Sequence, residues 1–132
     1  MTTDLYWLTL SILLTSILWV PYIINRLIEG GFFFGLWDPD GNTASNVPWA
    51  QRLMSAHINA VENLVEFAPL VIIEHILEMN TDLTATDAIL YFLSRVFNVI
   101  FFTYRVPVLR IVVFLGIFIA ELMIIFTLIG WV

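Results

Sequence analysis

The chain has 132 residues, of which 61% are hydrophobic and only 12% charged, with a formal net charge of −6 and no cysteine. That is too little polar side-chain surface to coat a soluble globule of this length, and the apolar runs leave no room for a separate soluble domain. The acidic balance argues against a nucleic-acid partner, and the lack of cysteine removes disulfides and thiolate metal sites.

The first apolar run, residues 5–28, exceeds the ~20 residues that a bilayer core requires. It carries Asp4 where a signal peptide has basic residues, and no small-residue cleavage site follows a short apolar core, so it reads as a retained helix. Pro21 lies inside this run and predicts a kink. The polar insert that follows is rich in Gly, Asp, Asn and Pro, the residues of turns. Phe32, Phe33, Phe34, Leu36 and Trp37 interrupt it, which predicts a segment folded back on the membrane face. Asn46 is a candidate cap and Pro48 suits the first turn of the next helix.

The second span, residues 48–79, holds a row of polar side chains: Arg52, Ser55, Asn59, Glu62 and Glu66. At about 100° per residue these fall on one helix face, and ionisable groups at bilayer depth are costly unless they pair or serve a site. The stripe is therefore the first place to look for function. Pro69 predicts a second kink, and His57 and His75 project away from the stripe without the spacing of a metal or haem pair.

The third span, residues 85–104, carries Arg95 near its middle, with Tyr91, Asn98 and Phe102 on the same face. An arginine at that depth calls for a carboxylate, and Glu62 or Glu66 across the bundle is the expected partner, either as a packing lock or as part of a ligand site. The fourth span, residues 109–132, places Arg110 and Glu121 on one face, where Arg110 has the bland alternative of snorkelling to the headgroups. All spans are helices, because an open sheet cannot satisfy its backbone in lipid.

Arg26 and Arg52 flank the first loop, and Arg105 and Arg110 flank the third. The termini and second loop carry only acids, namely Asp4, Glu78, Asp82 and Asp87, which read as ordinary loop charges. The positive-inside rule then predicts a multi-pass protein with the first and third loops cytoplasmic and both termini non-cytoplasmic. Tyr6, Trp7 and Trp131 would anchor one interface, and Trp37, Trp49 and Tyr104 the other.

The run from Arg52 to Leu64, with its Ala56-His57-Ile58-Asn59-Ala60-Val61-Glu62 core, and the following Phe67-Ala68-Pro69-Leu70 resemble the second-helix signature of the MAPEG family. These are the membrane-associated proteins in eicosanoid and glutathione metabolism. Arg95, Pro107 and Arg110 extend the likeness over essentially the whole chain, which is most similar to small bacterial members of unassigned activity. The resemblance implies an all-α, four-helix membrane bundle of a bacterial inner membrane, assembled as a homotrimer among membrane lipids. It also implies glutathione as co-substrate in clefts between neighbours, and transferase or peroxidase action on a lipophilic electrophile or lipid hydroperoxide. Arg110 matches the arginine credited with stabilising the thiolate. Asn59 and Glu62 match glutathione contacts, Arg52 and Arg95 match basic positions of the polar core, and Arg26 is a looser candidate for a carboxylate contact. The chain departs from the catalytic members' pattern at Ser55, Asn98 and Phe102, where they carry an arginine, a histidine and a tyrosine. A non-catalytic scaffold or accessory subunit of a membrane complex is the alternative.

Overall fold

The structure, a computed structural model, describes residues 2–31 and 47–130. The described residues are helical, and four stretches are long and apolar enough to cross a membrane: Thr3–Gly30, Pro48–Ile76, Asp82–Thr103 and Pro107–Leu128. The first is divided into α1 (Thr3–Ile17) and α2 (Trp19–Gly30). Pro21 explains the break, since it has no N–H for the Ile17 carbonyl one turn earlier. The other three are α3 (Pro48–Ile76), α4 (Asp82–Thr103) and α5 (Pro107–Leu128). Pro69 lies within α3, which continues as helix past it, so the second proline leaves no comparable interruption.

Helix starts and stops follow local chemistry. Thr81 and Thr84 form a reciprocal capping box at the head of α4, and prolines open α3 and α5, where a missing N–H costs nothing. At the end of α3, Glu78 takes φ 54°, the Met79 N–H donates to the Glu74 carbonyl and the Glu78 N–H to that of His75. Arg105 repeats the arrangement after α4 at φ 59°. Both are left-handed caps that close the last turn without glycine. The described start of α3 has Val47 at its cap with no side-chain bond. Asn46, the segment of residues 32–37 and Trp131 lie outside the described residues.

α3 and α4 pack on each other and form the centre of the bundle. α1 packs against both, α2 against α3, and α5 against both α3 and α4. In lipid, helix association relies on close packing, because the surrounding tails are as apolar as leucine. The α4–α5 seam accordingly uses small residues: Ala88 and Ala120 are fully buried, and Gly116 faces the Ser94 hydroxyl. The ring of Phe67 stacks on Tyr91 at 3.7 Å and 4°, joining α3 to α4 within a core that includes Leu8, Val71, Ile117 and Ile124. A second core gathers Leu18, Tyr22, Ala50, Leu53 and Ala60 between the first span and α3. Leucine, isoleucine, valine and phenylalanine side chains cover the outside, as at Ile28, Val65, Val108 and Phe118. A protein of this composition with four such helices is a multi-pass integral membrane protein.

One expectation is corrected by burial. Asp4 and Asp87 are not loop charges in solvent: they are 2% and 1% exposed, and Glu74 joins them with no exposure. Asn80 donates from one amide nitrogen to Asp4 and to Glu74, 3.0 Å to each, tying the start of α1 to the end of α3. Helical position alone did not reveal this, because Asp4 and Asp87 become buried only when two helix ends meet.

Candidate functional site

The polar stripe of α3 turns towards α4 and α5, and Asn59 is its pivot. Asn59 Oδ1 accepts from Arg95 Nη1 at 3.1 Å and from Asn63 Nδ2 at 3.2 Å, while Asn63 also donates to the Asn59 carbonyl at 2.8 Å. With its oxygen committed to two donors, Asn59 presents its amide N–H groups to the space beside it. That space consists of two adjoining cavities, and Asn59 and Phe114 line both.

The first cavity measures about 290 Å³ and is walled by Asn59, Asn98, Phe102, Arg110, Ile111 and Phe114. Arg110, in the first turn of α5, lays its guanidinium 4.8 Å from the centre of the Phe102 ring. The ring quadrupole attracts the flat face of the cation and leaves its N–H edges for hydrogen bonding. Arg110 is thus held against α4 beside a cavity. The second cavity, about 230 Å³, is walled by Asn59, Glu62, Asn63, Glu66, Phe114, Phe118 and Glu121.

Arg95 sits behind Asn59, only 2% exposed, and its Nε and Nη2 have no hydrogen-bond partner among the described residues. The expected ion pair with Glu62 or Glu66 is replaced by the Asn59 contact, and those two glutamates are exposed on the groove side of α3. A helical wheel sets the face on which a residue lies. It does not set the rotation that decides which of two same-face side chains meets the guanidinium. Asn98, 2% exposed, lines the first cavity and keeps its Oδ1 without a partner.

The remaining sequence candidates lie apart. Arg52 Nε donates to the Thr103 carbonyl at 2.7 Å, satisfying the end of α4 close to Phe102. Arg26, on α2, lines neither cavity. Ser55 is exposed and lines neither. His57 Nδ1 is 2.7 Å from the Tyr22 hydroxyl and ties α2 to α3. Sequence reasoning left Asn63 out of the site, although it lies one turn beyond Asn59. Phe114 was also left out, and in the sequence alone nothing separates it from the lipid-facing phenylalanines.

Comparison with known families matches residues 4–130 to the MAPEG family. No curated protein and no solved structure matches the chain. The family match spans nearly the whole sequence, from the buried Asp4 to Gly130 just past α5, and the chain belongs to the MAPEG family.

Proposed function

We propose that this protein is a glutathione-dependent transferase or peroxidase acting on lipophilic electrophiles or lipid hydroperoxides drawn from the bilayer. The observation that carries the reading is the first cavity, where Arg110 is fixed over Phe102 beside two asparagine amides. Glutathione offers a thiol, peptide amides, an ammonium and two carboxylates. The polar atoms at hand suit such a molecule: the unpartnered Asn98 Oδ1 accepts an N–H, and the free amide edge of Asn59 donates to a carbonyl or carboxylate.

The thiol supplies the sulfur nucleophile, and the chain's own residues bind it, orient it and balance its charge. Arg110 favours thiolate over thiol by direct charge, and Ile111, Phe114 and Phe102 keep that charge in an apolar, poorly screened setting. Phe102 in place of a tyrosine gives up a hydroxyl donor and provides a ring face for the guanidinium instead. Arg52, held at the last turn of α4, lies at the same end of the bundle for a carboxylate. Glu62 is the nearest acid for the ammonium. Assembly as a homotrimer with sites between neighbours belongs to this reading, with Arg26 as a looser candidate for a carboxylate contact. In this reading the arginine-bearing end of the bundle faces the cytoplasm, where the thiol is kept reduced.

Calorimetry and an ultraviolet thiolate difference spectrum on the detergent-purified protein test the reading. Saturable glutathione binding with thiolate absorbance is expected for the wild type. In Arg110→Ala the thiolate signal is lost while helicity and assembly size stay the same. Absence of binding at millimolar glutathione, or undiminished thiolate absorbance in Arg110→Ala, would overturn it.

A further inference from the structure

The second cavity holds two acids, Glu66 and Glu121, that the glutathione reading leaves unused. Glu62, Glu66 and Glu121 line it, and no arginine does. Arg95 acts on Glu121 through its charge but gives its hydrogen bond to Asn59. Arg110 lies on Phe102 in the neighbouring cavity. Glu121 is only 6% exposed, its carboxyl group lies against that of Glu66, and its Oε1 has no hydrogen-bond partner among the described residues. These carboxyl groups lie well inside α3 and α5, at depths where an acid without a partner is costly. Phe114 and Phe118, one helical turn apart, form the apolar wall opposite the α3 glutamates.

We propose that this cavity is a binding site for a primary alkylammonium, whose N–H groups donate to Glu121 and Glu66 while its hydrocarbon lies along Phe114 and Phe118. Three features select that chemistry. An unpartnered, buried carboxylate oxygen calls for a donor, and a cationic donor makes the stronger bond. The excess of carboxylates excludes an anion. Aromatic walls accept both a cation and an alkyl chain, and about half of each ring is uncovered, at 43% exposure for Phe114 and 50% for Phe118. The site goes beyond the thiol chemistry: it uses neither Arg110 nor the first cavity, and it makes the protein a receptor for membrane amphiphiles with an amine head.

The test is dodecylamine binding to the purified protein in a neutral maltoside detergent, without glutathione, followed by calorimetry. Dodecanol serves as the uncharged control for partition into micelles. One saturable site per chain for the amine, with none for the alcohol, is expected. Glu121→Gln and Glu66→Gln should each weaken binding at least tenfold. Glu66 is exposed, so its variant keeps the fold even where that of Glu121 does not. Arg110→Ala should bind the amine as the wild type does, which separates failure of this site from failure of the thiolate site. Displacement by short-chain phosphatidylethanolamine would assign the site to a lipid headgroup, and its absence to a free amine; either supports an ammonium site. Equal binding of amine and alcohol, no saturable site, or unchanged affinity in Glu66→Gln would overturn it.

Discussion

Arg95 is a guanidinium 2% exposed, and among the described residues its one hydrogen bond is to the Asn59 amide oxygen. Removing that acceptor takes away the guanidinium's one hydrogen bond and leaves it only the charge of Glu121, and a buried donor left unsatisfied costs about 1–3 kcal/mol. Asn59→Ala should therefore lower the thermal unfolding midpoint sharply, whereas the double variant Asn59→Leu with Arg95→Met should recover most of the loss. The recovery identifies uncompensated charge as the cause, where a packing defect would persist in the double variant. Side-chain partnership of this kind was the least legible property of the sequence. The stripe from Ser55 to Glu66 was readable because helical geometry alone puts its members on one face. That Asn59 and not Glu62 receives Arg95 depends on how α3 and α4 are rotated and offset, and a single sequence does not contain either parameter.

Between α4 and α5 the seam is set by what is missing from a side chain. A Cβ built on Gly116 would lie 3.2 Å from the Ser94 hydroxyl, a spacing that a small rotation of the serine can relieve for one methyl group but not for a branched chain. Gly116→Ala should be close to neutral, with improved helix propensity offsetting the contact. Gly116→Leu should force the helices apart and destabilise by about 1–3 kcal/mol, as overpacking does elsewhere. Unfolding titrations of the two variants in the same detergent check the contrast, and equal stability would mean that the seam is looser than its distances indicate. Elements of this length were plain from hydropathy, and the prolines at 48 and 107 mark where two of them begin. The kinks were half legible: both prolines lie in apolar runs, yet only the first is accompanied by a break between helices. Backbone geometry after a proline depends on what neighbouring helices allow, and that is tertiary information.

Across the molecule, four of the five arginines lie at one end of the bundle axis, with Glu29 beside them, and a group of acids lies at the other. Arg26, Arg52, Arg105 and Arg110 gather where α2 and α4 end and α3 and α5 begin. Asp4, Glu74, Asp82 and Asp87 gather at the opposite end, where α1 and α4 begin and α3 ends. Arg52 fastens the first end through the Thr103 carbonyl, and Asn80 fastens the second by bridging Asp4 and Glu74. The polarity was legible in the sequence, since loop arginines are counted without knowing any contact. The burial of Asp4, Glu74 and Asp87 was not, and through Asn80 the first two hold that end of the bundle together. Positively charged loops are retained on the cytoplasmic side, so Arg105 should face the cytoplasm and Glu78 the opposite compartment. The absence of cysteine makes this directly measurable, because any introduced thiol is unique. Both residues are exposed and lie in the turns after α4 and α3. In intact cells that express the protein, a membrane-impermeant maleimide should label Glu78→Cys at once and Arg105→Cys only after permeabilisation. The reverse pattern would place the Arg110 cavity towards the non-cytoplasmic side, away from the reduced thiol pool, and would remove the compartmental support for a glutathione-dependent reaction.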